Sequence, residues 1–250
     1  MDMAELMFVV GTVLIIPAII FALVAQSRVM GAFNRFSEIP SARGTTACQL
    51  ARRLLDENNC GHVQVIQTQG HLTDHYNPRT KVVALSSEVY SSTSLAALGI
   101  AAHEVGHAIQ HQQRYAPLMI RQLVIKTTGL VSKVLMPLII IGLIASFFTV
   151  GSTIMGIRSE NFWFILITAF AAMYMISFLI NLVTLPTEYN ASSRAKRLLR
   201  DGGHLQDEEE YDGVSKVLGA AALTYVASLV TSMAFMLRFL GLLLMMQRRR

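Results

Sequence analysis

Apolar residues in this chain gather into long runs separated by polar stretches. Ala4 to Gln26 (AELMFVVGTVLIIPAIIFALVAQ) carries a single acid, near its start. Wound as a helix it reaches about 35 Å, enough to cross a hydrocarbon layer of about 30 Å. Val134 to Ile157 and Phe162 to Leu185 predict two more spans, joined by the polar gap RSENF. The last run, Lys216 to Gln247, exceeds what one perpendicular span needs and holds Arg238 near its end. Its first part, GAAALTYVASLV, is small and mildly polar, which suits packing against protein before the chain enters lipid.

The polar segment Ser27–Lys133 has a different rhythm. In TTACQLARRLLDENNCG, residues Ala47, Leu50, Ala51, Leu54 and Leu55 recur at helical spacing and form one apolar stripe, closed by Asn-Asn-Cys-Gly. HVQVIQTQG and KVVALSS read as short strands flanking the turn region HLTDHYNPRT. A helix then begins near Ser94, whose hydroxyl can cap it. After the third span, Pro186 is placed to open a separate helix, TEYNASSRAKRLLRDGG, that stops at Gly. The pattern predicts a polytopic α-helical membrane protein with a small inserted α+β domain. Its parts are an N-terminal anchor (1–27), the α+β domain (28–133), a membrane hairpin (134–186), a helix with an acidic loop (187–215) and a C-terminal apolar helix (216–250).

Composition agrees. Apolar residues make up 53% and charged residues 15%, against about 25% charged in soluble domains, and mean hydropathy is +0.47. The net charge of +5 comes from basic residues beside the apolar runs, so the partner is anionic lipid headgroups and not nucleic acid. Asp2 precedes the first run and Glu5 stands at its start, where a signal peptide would be basic, so an uncleaved anchor is expected. Ser27–Lys133 carries eleven Lys or Arg against six acids, and SSRAKRLLR adds four basic residues on the same side. The positive-inside rule therefore places the polar domain in the cytoplasm. With four spans the terminal Arg248–Arg250 would face outward, so either the last run does not cross or this tail breaks the rule. Cys48 and Cys60 match no metal or redox spacing and read as free thiols.

The candidate chemistry lies in GIAAHEVGHAIQHQQ. His103 and His107 stand four residues apart, on one helix face, where two imidazoles can converge on one zinc ion. Glu104 lies about 100° round the helix, beside the metal rather than on it. A zinc-coordinated water has its pKa lowered toward roughly 7, so a neighbouring carboxylate can take its proton near neutral pH. His111 continues the stripe but sits ~12 Å along the axis from His103, too far to share the ion. A third ligand must come from elsewhere. Glu188 shares a face with Ala191, Ala195, Leu198 and Leu199, and an acid on such a stripe faces protein and needs a partner.

Several stretches together, GHLTDHYNPRTKVVALSSEVYSSTSLAALGIAAHEVGHAIQH, LPTEYNASSRA and VLGAAALTYVA, resemble the YugP-type family of bacterial membrane zinc metallopeptidases. The wider arrangement is similar to the HtpX and CAAX-prenyl-protease group of membrane gluzincins. The resemblance implies a zincin-like catalytic domain with Zn2+ on His103, His107 and Glu188, and Glu104 as general base. Those relatives carry Asp four residues after the Glu ligand, where this chain has Ser192, so Ser192, Asn190 or a backbone carbonyl is left to orient His103.

Other polar residues have weaker claims. His75 or Tyr76 could donate to a developing oxyanion, or their segment could be an edge strand that pairs with substrate; equally, HLTDH is a polar turn held by its own Asp74. His204 is a loop histidine, Arg194 an ion-pair member, and DEEEYD (207–212) a solvated helix start. The expected activity is a membrane-embedded zinc endopeptidase of the bacterial plasma membrane, acting on peptides or membrane proteins. A site-2-type intramembrane protease fits poorly, because only Leu95 to Ala102 is apolar before His103. A non-proteolytic zinc-stabilised scaffold or chaperone would have no use for Glu104.

Overall fold

The computed structural model describes residues 1–123 and 159–248. The span expected over Val134–Ile157 lies outside the described residues. The chain resolves into two compact units. One comprises Met1–Ala22, Ile120–Val183 and Ala227–Arg250; the other comprises Leu23–Met119 and Thr184–Val226.

Among the described residues, three helices are long and apolar enough to cross a membrane: α1 (Met3–Ser37), α5 (Ser159–Asp201) and α6 (Glu208–Arg248). Their most apolar windows have mean hydropathies of 2.8, 2.2 and 2.0 and are only 11–17% buried within the protein. On α1, Val13, Ile16 and Leu23 are about two-thirds exposed. Such a surface is a poor one for water and a natural one for lipid.

In the first unit α1 and α6 lie antiparallel with their backbones nearly touching. A Cβ on Gly11 would stand 2.4 Å from Arg238 N, and one on Gly241 would stand 2.5 Å from Phe8 N. Asp2 pairs with Arg248 at the end of this seam. Small residues allow the approach, as membrane helices require when lipid offers no hydrophobic drive to associate. Asp2 and Arg248 therefore share one side of this unit. Between α5 and α6, Tyr174 stacks on Phe235 and Phe239 with centroids 4.8 and 5.3 Å away. Asn181 Nδ2 donates to Ser232 Oγ at 3.2 Å.

The second unit is built on α2 (Ala47–Glu57), β1 (Gln64–Thr68), β2 (His75–Asn77), β3 (Val82–Ser86), the single turn α3 (Ser87–Tyr90) and α4 (Leu95–Gln112). Thr46 and Gln49 close a capping box at the start of α2, and the five predicted stripe residues are its buried set. The sheet order is β1-β3-β2, with β1 parallel and β2 antiparallel to β3, so β2 is an edge strand. Ser94 caps α4 by accepting from Ala97 N. Fourteen of the 18 residues of α4 are buried. A helix covered on nearly every side is a core helix, which accounts for its run of Ala and Gly.

Two expectations need correction. Pro186 does not open a new helix; it sits inside α5, which continues unbroken to Asp201. A proline costs a helix one hydrogen bond and a local clash. Thr187 and Glu188, immediately after it, are buried with Ala191, Ala195 and Leu199, and this packing holds the helix through the defect. The acidic run is also not wholly solvated. Glu208 pairs with Arg200 at the surface, but Glu210 is buried and accepts from the backbone of Ala42 at 2.6 Å and of Gln206 at 2.7 Å.

Candidate metal centre

Two helices of the second unit build the site. α4 supplies His103 and His107 one turn apart; their rings meet edge to face with centroids 4.7 Å apart. α5 supplies Glu188, which is 2% exposed. Its Oε2 lies 3.1 Å from His103 Nε2 and 3.3 Å from His107 Nε2. The helices come this close because Gly106 lies against Ala191, where a Cβ would sit 2.8 Å from the Ala191 carbonyl oxygen.

The far ring nitrogens are engaged as well. His103 Nδ1 lies 3.2 Å from Ser192 Oγ, and His107 Nδ1 lies 2.9 Å from Gln110 Oε1. Both imidazoles are thus held from behind and turn Nε2 toward Glu188. Among the described residues, His103, His107 and Glu188 are the group of potential ligands whose donor atoms all fall within 4.8 Å of one another.

This donor set fits zinc. Ligand atoms at Zn–N and Zn–O distances of about 2.0–2.1 Å in a tetrahedron are separated by about 3.3 Å, the spacing found on either side of Glu188 Oε2. Two imidazoles and a carboxylate also make a three-ligand set, which leaves a fourth position for water or substrate, as hydrolytic zinc sites require.

The electrostatics of the cluster without metal are those of an ion pair. Burial opposes ionisation of Glu188, but hydrogen bonds from His103 and His107, and their charge, hold its carboxyl far below the ordinary carboxylate range. Burial likewise opposes charging of His107. The hydrogen bond and charge of Glu188, then the charge of Glu104 and the bond to Gln110, win and push its pKa up. Glu104 itself is buried, at 8% exposure, and close enough for its charge to act on His107 and on Asp74.

The remaining candidates lie outside the cluster. Asn190 does not meet His103; its Oδ1 accepts from Gln110 Nε2 at 3.0 Å and from Arg194 Nε at 2.7 Å. Among the described residues Arg194 forms no ion pair; its Nη1 donates to Gln113 Oε1 at 2.7 Å. His75 is exposed, with Nδ1 on the Thr73 carbonyl. The Tyr76 hydroxyl bonds His111 Nδ1 at 2.9 Å, and burial pushes its pKa up to about 12. Asp74 accepts from both the backbone and the hydroxyl of Ser86, so the HLTDH segment is held by its own aspartate. His204 faces Glu57 at 3.3 Å. Gln110 is the residue that the spacing argument passed over. It is fully buried and stands at i+3 from His107, where helical side chains meet.

Comparison with known proteins agrees with this geometry. The family described as "Putative neutral zinc metallopeptidase" matches residues 11–244. A curated relative, "Putative membrane protease YugP" of Bacillus subtilis (strain 168), is 39% identical over 222 residues, covering 88% of this chain and 90% of the relative. No solved structure matches the chain. A match across nearly the whole sequence, on a chain that already gathers a zinc-fitting donor set, makes this protein a member of that zinc metallopeptidase family.

Proposed function

We propose that the protein is a membrane-embedded zinc endopeptidase whose second unit is a zincin-like catalytic domain. His103, His107 and Glu188 hold the metal, and Glu104 is the general base. When bound, zinc supplies Lewis acidity for the scissile carbonyl and for the attacking water. Glu104 accepts a proton from that water as it adds to the carbonyl, then returns it to the amine that leaves. Its burial keeps the carboxylate out of bulk solvent, where the proton would be lost to water. Ser192 holds His103 in orientation. β2, whose outer side no described strand covers, offers backbone donors and acceptors to an extended peptide.

The substrates are peptides or membrane proteins presented at the cytoplasmic face of a bacterial plasma membrane. The basic excess of the segment between the first two expected spans supports that side. The observation that carries the proposal is the approach of Glu188 Oε2 to both histidine Nε2 atoms, with Glu104 buried between flanking residues of the same helix. Glu104→Gln tests it. Cleavage of an unfolded protein substrate by the detergent-solubilised chain should fall at least about a thousandfold, within the scale of losing a general base in a metal-assisted hydrolysis. Zinc content should stay at one per chain. Undiminished cleavage would remove the mechanism, and absence of cleavage in the natural sequence would favour a scaffold or chaperone.

A further inference from the structure

Gln110 touches neither the space between the ligands nor solvent, yet it bonds at every polar atom it has. Its Oε1 lies 2.9 Å from His107 Nδ1, and its Nε2 lies 2.8 Å from the Thr187 carbonyl oxygen and 3.0 Å from Asn190 Oδ1. The direction of this chain of hydrogen bonds follows from groups that have no choice of role. The Thr187 carbonyl can only accept, so the Gln110 atom facing it must be the amide nitrogen. Arg194 can only donate, and its Nε lies 2.7 Å from Asn190 Oδ1; that atom is therefore an acceptor and takes the second Gln110 N–H. Both amide hydrogens are then used on α5, and the atom left facing His107 is the carbonyl oxygen. A carbonyl oxygen there demands a proton on Nδ1. A neutral imidazole with its proton on Nδ1 has its lone pair on Nε2, the nitrogen aimed at Glu188.

We propose that Gln110 is a positioning residue for the metal centre. It dictates which nitrogen of His107 is the ligand, and it ties α4 to the peptide carbonyl immediately before Glu188, so that two of the three ligands are placed by one side chain. The polarity originates outside the site, in the Thr187 carbonyl and in Arg194 acting through Asn190. On the other side of the site the arrangement is less constrained, since the Ser192 hydroxyl facing His103 can donate or accept. His107 is the ligand with the fixed tautomer.

This inference rests on the reading of His107 as a zinc ligand. The test is zinc affinity of the full-length, detergent-solubilised protein, measured by chelator competition, with the Co2+ absorption spectrum as a report on ligand number. Gln110→Leu keeps the volume and removes the acceptor; it should weaken zinc binding about 10–100-fold, the usual cost of losing the partner of a ligating histidine. Gln110→Glu keeps an oxygen facing Nδ1 but sets its other oxygen against the Thr187 carbonyl and Asn190 Oδ1, so it loses the tie to α5 and should bind zinc with an affinity between those of the natural sequence and Gln110→Leu. If Gln110→Leu does not fold, Gln110→Met takes its place. Wild-type affinity in the apolar variant would overturn the proposal. So would equal loss in the Gln110→Glu variant, which would show a helix tie with no effect on the imidazole. If the natural sequence itself binds no zinc, the metallopeptidase reading fails first and this inference with it.

Discussion

Gly106 and Ala191 are in backbone contact: a Cβ placed on Gly106 would lie 2.8 Å from the Ala191 carbonyl oxygen. This contact sets how near the histidine helix comes to the glutamate helix, because Gly106 sits between His103 and His107 and Ala191 one turn beyond Glu188. Alanine normally favours a helix interior over glycine by about 1 kcal/mol. At Gly106 the new methyl must displace backbone, an overpacking cost of about 1–3 kcal/mol that outweighs the gain. Gly106→Ala should therefore lower thermal stability and weaken zinc binding, whereas Gly219→Ala, with nothing within 4 Å, should be neutral or stabilising. Melting curves and zinc titrations of the two variants check this, and equal behaviour would contradict it.

Ser192 is the group behind His103, at 3.2 Å from Nδ1. Ser192→Ala should weaken zinc binding by about tenfold, the lower end of what such partners contribute. Ser192→Asp supplies an acceptor that cannot reverse its role, and it should tighten binding. The same chelator competition measures both; a Ser192→Asp variant weaker than Ser192→Ala would show that the carboxylate does not face the imidazole.

Acid and base act oppositely on the metal-free and the zinc-bound protein. The lowered pKa of Glu188 gives stability that is present above its ordinary value of 4.5 and lost as pH falls toward its folded value. The raised pKa of His107 gives stability that is present below 6.5 and lost as pH rises through its folded value. Metal-stripped protein should thus melt highest between about pH 4.5 and 6.5. Zinc needs unprotonated imidazole, so the rise in melting temperature on adding zinc should grow from pH 6 to 8. Differential scanning fluorimetry at constant ionic strength reads both trends, and a pH-independent zinc effect would count against histidine ligation.

The antiparallel seam of α1 and α6, closed by Asp2 and Arg248, predicts that the two termini lie on one side of the membrane. Epitope tags at the two termini should be reached by antibody from the same face of oriented vesicles. A tag in the loop after β2, one span away from the N-terminus, should be reached from the other. Termini on opposite faces would break the pairing of α1 with α6.

Local pattern made much of this fold legible. The stripe from Ala47 to Leu55 is the buried face of α2, Ser94 caps α4, and β1 and β3 fall within the two apolar alternations. The gathering of His103 and His107 follows from helical spacing, and that of Glu188 from its position as the one acid on an Ala and Leu stripe. What was hidden depends on partners distant in the chain. Pro186 signals a break locally, but the burial of Thr187 and Glu188 carries α5 through it. Glu210 looks solvated until the backbone of Ala42, 168 residues earlier, comes to meet it. Gln110 carries no motif, and its role emerges only once Thr187 and Asn190 lie across from it.

The central claim is that Glu188 completes a metal site begun by two histidines 85 and 81 residues earlier in the chain. Zinc content of the purified Glu188→Ala protein, measured by atomic emission against the natural sequence, tests it most directly. One zinc per chain is expected in the natural protein and almost none in the variant, with the helical fold retained by circular dichroism. Full zinc occupancy in the Glu188→Ala protein, at unchanged affinity, would contradict it.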